Sequence, residues 1–182
     1  MEMERSLFAF VKEVAPEKAN WDVEWVASDA TLDRQDEIID PEAWILGPYM
    51  RNAVILACHQ HRLPDGSSPV VARADDTGVK DGQLIQRPLF AAREPYDTEL
   101  GIQYCKLYRG RFMKAASVGF QPIKGAWDEK TIDGKKVKVY HHTKVELYEV
   151  SCVPVGANPN ALAKYLASRS LALGAPSPRT WG

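Results

Sequence analysis

Lys114-Ala115-Ala116-Ser117-Val118-Gly119-Phe120 is the stretch on which the reading of this chain turns. It reads as the start of a β-strand that follows a helix. Side chains alternate between faces along a strand. Ala115, Ser117 and Gly119 therefore share one face, and Ala116, Val118 and Phe120 share the other, core-like one. One hydroxyl is left between two very small neighbours, with open space around it. A nucleophile needs that setting: an Oγ that can be reached, on a stiff element. A strand serine kept small for close packing would look the same, so the case for chemistry rests on what other segments bring to Ser117.

Working outward, Tyr96-Asp97-Thr98 leads into a helix through Phe112, with Leu100, Tyr104 and Leu107 on one buried face. Beyond Ser117, Asp128 to Lys138 is charged and contains Asp133-Gly134, a strong hairpin-turn signal. Val137 to Val153 then reads as one or two strands. Upstream, strands are expected at Ser6–Val14, Trp21–Ser28, Ala53–His59, Val70–Ala74 and Gln83–Ala91. Asp40-Pro41 predicts a capped helix running to about Met50, and Asn158-Pro159 another running to about Arg169. About seven strands with three helices predict an α+β fold, a closed or strongly curved antiparallel β-barrel with helices packed outside. Residues 1–170 read as a single domain, and 171–182, with Pro176 and Pro178, as a flexible tail.

Composition narrows the function. Of 182 residues, 45% are hydrophobic and 26% charged, ordinary for a globular protein with a real core. The net charge of −1 argues against nucleic acid or an anionic membrane as partner. No apolar run is long enough to span a bilayer. Cys58, Cys105 and Cys152 are widely spaced and form no CxxC pair, which suggests free buried thiols.

His59 is the first candidate partner for Ser117. It ends a buried strand at the mouth of a long loop, where a base can be held firmly yet reach solvent. His61 lies further into that loop. Glu149 is the second. Alternation puts Val145, Leu147, Glu149, Ser151 and Val153 on one face, and a carboxylate on an apolar face must be paired or hydrogen-bonded. A histidine N–H would satisfy it and fix the tautomer for base catalysis; so would a lysine or arginine in an ordinary salt bridge. Glu146 falls on the opposite face, and His141 and His142 are reserve candidates. His59, His61 and Cys58 also raise a metal site, although Cys58 points the other way and no matching ligand pair follows.

The order His, Ser, Glu resembles the capsid maturation (prohead) proteases of tailed phages, distant relatives of the herpesvirus assemblins. The matching stretches are 53–61, 115–120 and 147–159, with the acidic run 33–41 also fitting. The resemblance implies a herpesvirus-protease-like fold and a serine endopeptidase with Ser117 as nucleophile, His59 as base and Glu149 as orienting acid. It implies that Gly156, Ala157 and Asn158 supply oxyanion donors or bind substrate, although this loop lacks the arginines that assemblins carry there. It implies no cofactor and no metal. The partners it implies are scaffold and major capsid protein as substrates, with self-cleavage, and a homo-oligomer is compatible with it. The setting would be the host cytoplasm, inside the assembling procapsid. A non-catalytic capsid-assembly module with the same fold is the alternative.

Overall fold

The spine of the protein is a long hairpin. In the computed structural model, which describes residues 22–132 and 134–164, two strands of 17 and 18 residues run together, β9 (Ala116–Ile132) and β10 (Lys135–Cys152). Their pairing starts at Ile132↔Lys135, so the turn has two residues, and its second, Gly134, has φ 75°. A left-handed glycine there matches the twist of a tight hairpin.

Before the hairpin come β1 (Glu24–Asp29), β2 (Glu37–Ile39), β3 (Trp44–Ile45), a one-turn helix α1 (Gly47–Met50) and β4 (Val54–Ala57). They are followed by β5 (Val70–Arg73), β6 (Thr77–Lys80), β7 (Gln83–Gln86), β8 (Leu89–Phe90) and α2 (Glu99–Arg109), and β11 (Ala163–Lys164) closes the described chain. β9 covers one edge of β10. Along the other edge β2, β3 and β4 line up in turn, all parallel to it. β5 and β8 extend that sheet beyond β4, and a second sheet has the order β11-β1-β7-β6.

This corrects the expected fold class. Among the described residues the protein is mostly β, with few helices, and neither sheet closes into a barrel. The main sheet is mixed rather than antiparallel, because β2, β3 and β4 reach β10 only through long connections, the condition for parallel pairing. The helix expected from Asp40 to Met50 is broken. Asp40 makes no side-chain cap, a 3₁₀ turn spans only Pro41–Ala43, and Trp44 and Ile45 pair with Val145 and Glu146 instead. Gly47–Met50 then forms a single helical turn with Pro48 near its start, where the missing N–H breaks no helical bond. Asn158-Pro159 opens no helix before β11 either. The strand expected at 6–14, the helix beyond Lys164 and the tail 171–182 lie outside the described residues.

α2 forms where expected. The Thr98 hydroxyl accepts from Gly101 N–H at 2.9 Å, and Tyr104, Cys105 and Tyr108 turn inward. Trp25 packs on Tyr108 with ring centroids 5.3 Å apart, and Phe90 packs on it at 5.5 Å. Both Trp25 and Tyr108 are fully buried, and each such side chain contributes about 1.5–3 kcal/mol by burial. Tyr108 also fixes the entry to β9, its hydroxyl donating to the Ala115 carbonyl. On the edge away from β10, Ala116 N–H donates to Ala161 O at 2.9 Å. The first residues of β9 are therefore held from both sides, and Ser117 is the next residue along.

Candidate active site

The site is built on a turn under strain. β4 stops at Ala57, and the chain reverses through Cys58 and His59, whose φ angles are 49° and 58°. Gln60 N–H donates back to Ala57 O at 3.0 Å, closing a two-residue turn. Left-handed backbone at residues other than glycine costs roughly 1–3 kcal/mol each. β10 holds the turn against that cost. Cys58 N–H donates to Cys152 O at 3.0 Å, and His59 N–H donates to Ser151 Oγ at 3.0 Å.

The turn sets His59 against Glu149. The His59 Nδ1–H donates to Glu149 Oε1 at 2.6 Å. The other carboxylate oxygen accepts from Ser151 Oγ at 2.7 Å. Glu149 is only 5% exposed, while the His59 side chain is 42% exposed. The hydrogen bond to Glu149 pushes the imidazole pKa above its ordinary value; partial burial opposes this, and the carboxylate's charge adds to it.

Gly119 makes room for the carboxylate. It is the cross-strand partner of Glu149, and a Cβ at Gly119 would lie 2.3 Å from Oε1. Two residue pairs further on, Ser117 faces Ser151. On β9 the faces are as the sequence reads, with Ala116 and Val118 toward the core, but on β10 the face that carries Glu149 and Ser151 differs from the one read in the sequence. The register shifts between Leu147 and Glu149, and Leu147, Val150 and Cys152 all enter the main core. A bulge thus swaps the faces, and Glu149 and Ser151 lie on the side away from that core.

Ser117, His59, Ala157 and Asn158 line one cleft of about 220 Å³. Ser117 is 7% exposed, so its hydroxyl forms cleft wall rather than standing open. Among the described residues no hydrogen bond joins Ser117 to His59. Asp29, Asp33 and Glu37 also line the cleft. Burial alone would push the Asp29 carboxyl up, but hydrogen bonds from Asn158, Asn160 and Thr31 hold it below its usual value.

The loop 156–158 is tied down twice. Gly156 lies so close to β9 that a Cβ there would come within 2.6 Å of Ala116 O. Arg34 grips it from the other side. Its guanidinium donates to the Gly156 carbonyl, and to that of Ala157 at 3.4 Å, while its backbone N–H donates to Ala157 O at 3.1 Å. Asn158 Nδ2 donates to Asp29 Oδ1 at 2.9 Å.

The reserve residues sit elsewhere. His61 is exposed beyond the turn. His141 Nε2 is 2.7 Å from Asp40 Oδ1. His142 is buried between Phe120 and Tyr140, with Nε2 3.3 Å from Glu37 Oε2 but neither ring nitrogen hydrogen-bonded. Glu146 pairs with Ile45 and Gln121 along the ladder, away from His59. Among the described residues no group of three or more His, Cys, Asp or Glu is arranged to hold a metal. Two residues escaped sequence reasoning. Ser151 had a signal, being polar and two positions from Glu149 on the same face. Arg34 had none, since its partners lie 122 and 123 residues away.

Comparison with known proteins bears on this geometry. Residues 89–174 match the family described as caudovirus prohead serine protease. That segment, just under half of the chain, takes in Ser117, Glu149 and the 156–158 loop but begins after His59. The chain is also 28% identical over 139 residues to the prohead protease of Escherichia phage T5, covering 74% of this chain and 58% of that relative. The chain thus spans little more than half the length of that protein. No solved structure matches. The two matches agree with each other and with the resemblance carried by the sequence: this chain is similar to the caudovirus prohead serine proteases.

Proposed function

We propose that this chain is the serine endopeptidase of a phage procapsid, with Ser117 as nucleophile, His59 as general base and Glu149 as the acid that orients it. The observation that carries this reading is the 2.6 Å contact between His59 Nδ1 and Glu149 Oε1, beside the cleft that Ser117 lines. With Nδ1–H committed to the carboxylate, Nε2 keeps its lone pair. It takes the Ser117 proton as Oγ attacks the substrate carbonyl, and Glu149 stabilises the imidazolium that forms. The proton then passes to the leaving amine, and water releases the acyl group by the same steps in reverse. Substrate entry completes the contact between Ser117 and His59, since such hydrogen bonds often tighten only in the complex.

The oxyanion donors in this reading are the backbone N–H groups of Ala157 and Asn158. In a trans peptide the N–H points opposite to the C=O. Arg34 draws the carbonyls of Gly156 and Ala157 toward itself, which turns the N–H groups of the next residues the other way. Those next residues are the two that line the cleft with Ser117. A tetrahedral intermediate on Ser117 would form beside them, in the setting where preorganised donors act most strongly.

The similarity to the prohead protease family and to the T5 relative supports scaffold and major capsid protein as substrates, and the assembling procapsid as the place of action. No helix among the described residues is long and apolar enough to cross a membrane. The test is intact-mass spectrometry of freshly purified full-length chain over time, beside Ser117→Ala. Self-cleavage products that grow with time and protein concentration are expected for the native chain and none for the variant. Equal cleavage in both would remove Ser117 from the mechanism.

A further inference from the structure

We infer that Ser151 is a fourth member of the site, a positioning residue that sets the base and its carboxylate at the same time. The inference rests on the roles proposed above for His59 and Glu149. Ser151 is completely buried in β10, directly across from Ser117. A hydroxyl has one proton to donate and lone pairs to accept with. Ser151 gives its proton to Glu149 Oε2 at 2.7 Å and accepts the His59 backbone N–H at 3.0 Å. With the 2.6 Å bond from His59 Nδ1–H to Glu149 Oε1, the hydrogen bonds close a ring through three residues.

That ring constrains two things the mechanism depends on. The carboxylate is held at both oxygens, so it cannot rotate away from the imidazole. The His59 backbone, left-handed at φ 58°, is anchored at its own N–H, so the strained turn stays in the one conformation that directs the ring at Glu149. A serine merely filling a strand would bond its own or a neighbouring backbone group; both bonds of Ser151 go instead to atoms of the site. The hydroxyl touches no reacting atom. It acts through the relative placement of Glu149 and His59, for which tenths of an ångström count.

The test uses a fluorophosphonate probe, whose reaction with a serine needs the nucleophile and base but no recognised peptide. Ser151→Ala should lower the maximal labelling rate about 10- to 100-fold, the scale of one lost charge-assisted hydrogen bond, and leave the half-saturating probe concentration unchanged. In a Glu149→Ala background the same change should cost less than about twofold, since residues acting as one unit are not additive. Ser151→Cys keeps the volume and a weak donor, and should fall between the native chain and Ser151→Ala. Near-UV circular dichroism of each variant checks the fold, and Ser151→Cys replaces Ser151→Ala in the cycle if the latter does not fold. Labelling of Ser117 at the native rate in the Ser151 variant, or full additivity with Glu149→Ala, would overturn the inference. Failure of the native chain to label at Ser117 would instead overturn the triad itself, so the two failures are distinguishable.

Discussion

The β9–β10 hairpin is one long ladder with register shifts in its middle, and its two ends behave differently. At the clamped end, Ala116, Ser117, Glu149, Ser151 and Cys152 are all buried. β4 bonds one side of this end and the 161–163 segment the other. At the far end, beyond the reach of β2, residues 128–132 and 135–139 pair only with each other among the described residues; next to them Trp127 is 63% exposed, and Lys138 lies over its ring at 5.5 Å. Both ends carry carboxylates, histidines or glycines. In the function proposed above only the clamped end makes a site of them, because there neighbouring strands on both sides bury the side chains. Identical substitutions at the two ends should therefore have unlike effects.

The largest contrast is expected between two carboxylates. Glu149→Ala should slow fluorophosphonate labelling of Ser117 by roughly 10³- to 10⁴-fold, the scale for losing the orienting acid of a triad. Glu129 makes an ion pair of 2.6 Å with Lys136 at the exposed end. Glu129→Ala should leave labelling unchanged, because such pairs contribute about 0–1 kcal/mol and touch no chemistry.

Two glycines of β9 give the next contrast. Gly119→Ala drives a Cβ to 2.3 Å from Glu149 Oε1, and Gly125→Ala drives one to 2.6 Å from His141 O. Both should lower stability by about 1–3 kcal/mol in a thermal or denaturant melt, as overpacking does. Gly119→Ala alone should also lose activity, by about 100-fold, since a displacement near 1 Å in a site has that effect. Comparable activity loss at Gly125 would mean that the whole ribbon, not its clamped end, shapes the site.

A smaller effect is expected with pH. Glu149 raises the His59 pKa, so the base form of the imidazole appears only above the ordinary histidine value of about 6.5. Labelling should rise through a midpoint above that value and fall away below it. Glu149→Gln should bring the midpoint down, because the charge that favours the imidazolium is gone. The smallest effect is expected of Trp127→Ala, within roughly 0.5–1 kcal/mol in stability and without change in labelling, as for an exposed residue.

Sequence patterns located β4, α2 and the hairpin well, because each carries a local signal: a continuous apolar run, a Thr98 cap with helical periodicity, and Asp133-Gly134. They misjudged the sheet, since parallel pairing of β2, β3 and β4 with β10 depends on contacts about 100 residues apart. Alternation found Glu149 but for a reason the structure revises. The bulge after Leu147 places it away from the main core, and the partner it needs is His59 rather than a lysine or arginine. Ser151 was visible as a polar residue on the same face. Its role depends on a turn at Cys58 and His59 whose left-handed backbone has no glycine or asparagine to announce it.

The most direct measurement is peptide mapping of the fluorophosphonate adduct on the full-length chain, with His59→Ala treated in parallel. A single adduct on Ser117 that nearly disappears in His59→Ala is the expected result. An adduct on any other residue, or one on Ser117 that forms as fast without His59, would contradict the assignment of nucleophile and base.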